Sequence, residues 1–274
     1  MHMKFADIRS RAATATVLVV VILLAVVGGP LPLLMLTLAI NSLAISEYNR
    51  LARLMGYFPQ AASMQAAGLL LITMVWSVSL GYFPPVMLVL FLPAPAIVCS
   101  AELWRRGQQP FVNIALTLLA PLWISVPLAA FSAMGAMVLP ADAARLYAGY
   151  FLLLWAGDSG AYFTGSLLGR HPLLSRISPK KTIEGSAGGL IAVIITSILN
   201  AAFFNVLALQ DWLLIGLLVN VSGTLGDLVK SMLKRSAGVK DSGNLLPGHG
   251  GIIDRFDSLL GSAPVLYLYL HFYA

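Results

Sequence analysis

Residues 230–257 read KSMLKRSAGVKDSGNLLPGHGGIIDRFD, a charged stretch set between two strongly apolar runs, 212–229 and 259–273. The whole chain is 59% hydrophobic and only 10% charged, so this polar island decides the fold. A soluble domain carries about 25% charged residues, and the mean hydropathy here is +0.87. The chain reads as an integral membrane protein whose apolar runs cross a bilayer and whose polar stretches lie at its faces. The runs are helical in length and lack the two-residue alternation of an outer-membrane barrel, so the fold class is all-α.

Working outward, the apolar runs are 14–28, 31–45, 66–81, 86–98, 112–138, 143–157, 186–207, 212–229 and 259–273. They make a polytopic protein of about nine transmembrane helices. Several fall short of about 20 residues and must borrow flanking turns, 31–45 and 86–98 most of all. The basic start of the chain precedes an apolar run with no small-residue cleavage site after it, and it reads as a first span rather than a signal peptide. Of the 17 Lys and Arg residues, all but Arg145 fall on one side if the N-terminus is cytoplasmic. That alternation places the C-terminus on the outer side. A count of about seven spans keeps the same parity. The net charge of +6 is thereby explained by orientation and does not call for a nucleic-acid partner. Cys99 is the single cysteine, which leaves no disulfide framework and no thiolate metal cluster.

Residues 1–140 hold no polar cluster and read as an N-terminal transmembrane scaffold; residues 141–274 read as the catalytic region of the same membrane domain. There, Asp227 closes an apolar run, where a carboxylate is costly unless paired or metal-bound. On a helix, Asp227, Lys230, Ser231 and Lys234 share one face. An interfacial Asp227 paired with Lys230 is the plainer reading of that spacing. Downstream, Gly248-His249-Gly250-Gly251 offers exposed backbone N–H groups of the kind that bind phosphate. Asp254 and Asp257 lie three apart at a helix start and suit a divalent cation, Mg²⁺ by default beside phosphates. A favourable acidic first turn after a glycine loop is the alternative there.

A second polar stretch, 158–189, reads DSGAYFTGSLLGRHPLLSRISPKKTIEGSAGG. Asp158 closes another apolar run, and Ser178, Lys180, Lys181, Thr182 and Glu184 precede a helix. They serve either as phosphate ligands or as a helix-start signal with positive anchors. His249 suits a phosphate hydrogen-bond donor, while His171 and His271 have no evident partner. No GxxxxGK[ST] run occurs, which disfavours an ATPase.

The pattern Ser231-x-x-Lys234-Arg235-x4-Lys240-Asp241-x4-Leu246-Pro247-x-His249-Gly250-Gly251-x-x-Asp254-Arg255-x-Asp257 resembles the signature of the phosphatidate cytidylyltransferase (CDP-diacylglycerol synthase) family. The stretches GDSGAYFTG and SPKKTIEGSAGG are also similar to that family. Two departures are visible: Ser159 stands where many members have Thr, and Lys180-Lys181 replaces a Gly-Lys pair, making Lys181 the matching lysine.

The resemblance implies condensation of CTP with phosphatidic acid, a membrane lipid, at the cytoplasmic face of the inner membrane if the source is bacterial. It further implies catalytic roles for Asp158, Lys181, Asp227, Lys230, Lys234, Arg235, Lys240, Asp241, His249 and Arg255. Ser178, Thr182, Glu184, Ser231, Gly250 and Gly251 would contact substrate. Asp227, Asp254 and Asp257 would hold Mg²⁺, with a second cation allowed for. The family and the small-residue packing faces lean toward a homodimer. Two rivals carry other predictions. A CDP-alcohol phosphotransferase would show DxxDGxxAR, whereas here the run stops at Asp257-Ser258. An ion-coupled transporter would continue its ionisable residues to the outer face, and none do.

Overall fold

The structure is a computed structural model that describes residues 2–243 and 250–273, with the side chains of 15–243 and 250–272. His249 therefore lies outside the described residues. The described chain is almost entirely helical. Its elements are α1 (His2–Val27), α2 (Pro30–Leu54), α3 (Ala61–Ser79), a 3₁₀ segment (Pro85–Phe91) running into α4 (Ala94–Leu103), and α5 (Pro110–Ala120). A π segment (Pro121–Ser125) and α6 (Val126–Ala133) continue α5, and a 3₁₀ turn (Met134–Met137) ends that run. Then follow α7 (Ala143–Leu168), β1 (Pro172–Leu174), β2 (Ser178–Thr182), α8 (Ile183–Phe204), α9 (Leu209–Ser236) and α10 (Ile253–Tyr273).

Local chemistry explains most of the boundaries. Pro30 opens α2 where its missing N–H costs nothing, after Gly29 at φ 93°. Thr182 caps α8 by accepting from the Gly185 amide, and Asn205 at φ 50° ends that helix in the left-handed region. Pro121 interrupts the hydrogen-bond ladder after α5, and the chain passes through the π turn before resuming as α6.

Six helical stretches are long and apolar enough to cross a membrane: Pro30–Leu54, Ala61–Ser79, Pro85–Leu103, Pro110–Met137, Ile183–Phe204 and Leu209–Ser236. The apolar part of α1, Ala15–Val27, is shorter. Helices α7 and α10 are long enough, at 26 and 21 residues, but carry Asp158 on one and Asp254, Arg255 and Asp257 on the other. Large apolar side chains such as Leu70, Leu92, Ile191 and Phe203 point outward. That surface suits lipid and not water. The protein is an integral membrane protein.

Two compact units are formed, residues 1–133 with 233–256, and residues 134–232 with 257–274. In the first, α2, α3 and α6 pack on one another around Tyr48, Leu51, Met64, Ile72, Ile124 and Leu128. In the second, α7 lies along α8, with Leu146, Tyr150, Val193, Trp212 and Val219 buried. The α7–α8 approach depends on small residues. A Cβ placed on Gly160 would lie 2.9 Å from the Gly188 carbonyl oxygen, and one on Gly185 would lie 2.8 Å from that of Ala161.

Among the described residues a two-stranded antiparallel hairpin interrupts the helices, with Pro172 paired to Thr182 and Leu174 to Ser178. The sequence suggested only a loop before a helix in this stretch. Ser178-Pro179-Lys180-Lys181-Thr182 is instead the second strand, and it delivers Lys181 at a fixed position beside the start of α8.

A lysine–carboxylate cluster and a buried glutamate clasp

In the second unit the charged residues gather around Asp227. Near the end of α9, Asp227 and Lys230 are three residues apart on one face, and Lys230 Nζ lies 2.5 Å from Asp227 Oδ1. Lys181, from β2, pairs with the other oxygen of Asp227. Lys230 also pairs with Asp257 of α10. Asp158, on α7, faces Lys181, Asp227 and Lys230 and hydrogen-bonds Ser258. Lys230 and Asp257 are 8% and 9% exposed, so these charges are neutralised by each other rather than by water. The paired Asp227–Lys230 reading of the helix spacing is what the structure shows, with three further groups added to it.

Glycine brings the two aspartates together. A Cβ on Gly226 would lie 2.9 Å from the Gly261 Cα, and one on Gly261 would lie 2.9 Å from the Gly226 Cα. Helices α9 and α10 therefore touch backbone to backbone at this level. The Asp227 and Asp257 carboxyl groups come within hydrogen-bonding reach of each other as a result.

Asp254 belongs to the first unit and has a different set of partners. Lys234 Nζ lies 2.6 Å from its Oδ1. Its Oδ2 accepts from the Ser242 amide at 2.8 Å, the Ser242 hydroxyl at 3.0 Å and the Gly251 amide at 3.2 Å. Burial raises the Asp254 pKa, but the hydrogen bonds and charge of Lys234 together with these amides outweigh it and hold the carboxyl below its ordinary value. Gly250 sits at φ 79°, and a Cβ there would meet Asp254 Oδ2 at 2.8 Å. Its glycine is thus required by both backbone and space.

A residue from the N-terminal half completes this group. Glu47 of α2, 8% exposed, accepts from the Ile252 amide at 2.7 Å, the Ile253 amide at 3.0 Å and the Ser242 hydroxyl at 2.9 Å. Arg50, one turn on, donates to the Ser242 carbonyl. Reading residues 1–140 as scaffold did not anticipate this role. The sequence signal was thin: an acid and a base three apart at the end of an apolar run, with partners about 200 residues away.

The remaining candidates are placed as follows. Arg235, Lys240, Asp241 and Arg255 are exposed and Ser231 is half-buried. Thr182 caps α8, the structural alternative considered for it. Glu184 accepts from the Arg170 and His171 amides at 3.1 and 3.2 Å and pairs with His171 Nδ1 at 2.5 Å, which closes the hairpin's base. His171 thus has a partner that spacing did not reveal. His271 stacks on Tyr267 at 6.2 Å between ring centroids.

Chemically, the cluster around Asp227 offers ammonium groups to offset phosphate charge and oxygen-only ligands for a hard divalent cation. Two carboxyl groups in mutual contact favour a cation between them, and the lysine ammonium groups fill that need in the structure. Asp227 and Asp257 thus fit Mg²⁺. Among the described residues, no group of three His, Cys, Asp or Glu side chains is already gathered as a metal site.

Comparison with known proteins agrees with this chemistry. The family described as "Cytidylyltransferase family" matches residues 9–273. A phosphatidate cytidylyltransferase of Bacillus subtilis (strain 168) is 34% identical over 272 residues, covering 96% of this chain and 98% of that one. The enzyme of the same name from Staphylococcus haemolyticus (strain JCSC1435) is 40% identical over 176 residues, covering 64% of this chain and 65% of that one. A third, from Staphylococcus aureus (strain COL), is 49% identical over 127 residues, 46% of this chain and 48% of its own. By this match along nearly its full length, the chain belongs to the cytidylyltransferase family and is a nucleotidyltransferase.

Proposed function

We propose that this enzyme transfers the cytidylyl group of CTP to phosphatidic acid, giving CDP-diacylglycerol and pyrophosphate. The observation that carries the reading is the Lys181–Asp227–Lys230–Asp257 cluster, which pairs cations for phosphate with carboxylates for a metal in a mostly buried setting. The relatives' names supply the two substrates.

In the proposed reaction a phosphatidate oxygen attacks the α-phosphorus of CTP, and the bond from that phosphorus to the β-bridging oxygen breaks as pyrophosphate leaves. The nucleophile needs no general base, because a phosphomonoester's second ionisation lies near pH 6. Asp227 and Asp257 would hold Mg²⁺, and the sequence pattern adds Asp254 to the candidate ligands. The metal, when bound, supplies charge stabilisation on the transferring phosphoryl oxygens. Lys181 and Lys230 would turn from the carboxylates toward those oxygens. Asp158 would keep both lysines protonated and oriented.

The asymmetry of Lys and Arg supports about nine spans with the N-terminus and the site at the cytoplasmic face, hence at the inner membrane of a bacterial cell. The family resemblance supports a homodimer, while the close glycine packing is used within the chain, between α7 and α8 and between α9 and α10.

The test is pyrophosphate release by purified enzyme in detergent. Release that requires CTP and phosphatidate together supports the reading. Consumption of CDP-diacylglycerol with an alcohol acceptor and release of CMP would favour the CDP-alcohol phosphotransferase class instead.

A further inference from the structure

Glu47 is a buried acid far in sequence from every motif residue, yet each of its oxygens is used. Oε1 takes the Ile252 amide, and Oε2 takes the Ile253 amide and the Ser242 hydroxyl. These two amides are at the first turn of α10, where N–H groups have no intrahelical acceptor and negative charge is favoured. The fit is tight: a Cβ on Gly243 would lie 2.6 Å from Glu47 Oε1, and Gly251 is packed equally closely against the same carboxylate.

Ser242 makes the connection to the motif. Its hydroxyl lies 2.9 Å from Glu47 Oε2 and 3.0 Å from Asp254 Oδ2, while its amide donates to Asp254 at 2.8 Å. One hydroxyl proton thus faces two carboxylates, so the residue ties them together. Arg50 holds the same residue through its carbonyl. Neither acid is free to turn without moving the other's partner.

We propose that Glu47 is a positioning residue for cytidylyl transfer: from α2 it fixes the start of α10 and, through Ser242, the direction of the Asp254 carboxylate. The proposal rests on the functional reading above for its lipid acceptor, and on family membership alone for its nucleotide. Glu47 touches no reacting atom in this account. It acts through Asp254, which is held by Ser242 and the Gly251 amide, so the expected effect is on handling of the nucleotide phosphates.

The test is Glu47→Gln, which keeps shape but puts an NH₂ donor against at least one N–H or O–H donor. The expected result is a loss of 10-fold or more in kcat/KM for CTP, with KM for phosphatidate within 2-fold of wild type. Equilibrium binding of CTP to the purified protein, with no acceptor lipid present, weakens at least 5-fold. Ser242→Ala keeps the Ile252 and Ile253 amide contacts to Glu47 and the residue 242 amide contact to Asp254, and removes only the hydroxyl that bridges the two carboxylates. It shows the same pattern at about 3-fold or more, and it decides the matter if Glu47→Gln does not fold. A Glu47→Gln protein, or Ser242→Ala in its place, that binds CTP and uses it within 2-fold of wild type overturns the proposal, even if its melting temperature has dropped. Failure of wild type to use phosphatidate would sink the functional reading alone, because CTP binding still decides the role of Glu47.

Discussion

Asp227 and Asp257, from different helices, share one ammonium group, that of Lys230. The lysine is nearly buried, and so is Asp257. In the proposed reaction this ammonium group would stand where the substrate phosphates need positive charge. Under that proposal the lysine and a divalent metal would partly substitute for each other between the two carboxylates.

Replacing Lys230 with methionine takes the shared partner from buried Asp257 and half-buried Asp227, leaving Asp227 only Lys181. Breaking a buried pair in this way costs about 3–5 kcal/mol. Thermal unfolding in detergent with EDTA is expected to show a clear drop for Lys230→Met. Millimolar Mg²⁺ then restores more of the loss in the variant than it adds to wild type. Equal effects of Mg²⁺ on the two proteins would argue against the metal lying beside this lysine.

Asp227→Asn and Asp254→Asn are expected to fold and to lose CTP-dependent product formation by at least about 100-fold, the scale on which removal of a single charge-organising group is felt. Initial rates over a Mg²⁺ series check this. Near wild-type turnover in either variant contradicts the role given to that aspartate.

Helices α9 and α10 meet at Gly226 and Gly261 with no room for a side chain. Gly261→Val forces the backbones apart, which costs about 1–3 kcal/mol or more as overpacking and moves Asp257 away from Asp227. Activity should fall further than stability alone accounts for, as read by comparing turnover with the folded fraction at one temperature.

Much of this arrangement was legible in the sequence, for identifiable reasons. The apolar runs lack a barrel's alternation and so imply helices, which satisfy their own backbone in lipid, and most of each run falls in helical structure. Asp227 and Lys230 were readable as a pair because helix periodicity fixes residues three apart. Lys181 was placed among the site residues by resemblance, although the strand that presents it was not foreseen. Five residues containing Pro179 and two lysines carry no alternation to show a strand. Glu47 and Ser242 stayed hidden because their link is tertiary. An acid beside Tyr48 and a serine inside a loop look ordinary until the chain folds them together.

Orientation is checked by single cysteines. Cys99 is exposed and is first replaced by serine. In that background, a cysteine at Arg176 should react with a membrane-impermeant maleimide in inverted vesicles and not in intact spheroplasts. A cysteine at Asp142 should show the reverse. The opposite pattern would invert the proposed topology.

The most direct test of the central claim follows the phosphorus atoms of CTP. With phosphatidate vesicles and Mg²⁺, label from the α-phosphate should enter the lipid phase, and label from the γ-phosphate should remain in water as pyrophosphate. Neither should partition when phosphatidate is replaced by diacylglycerol. Entry of γ-label into lipid, or of α-label without phosphatidate, would contradict cytidylyl transfer to phosphatidic acid.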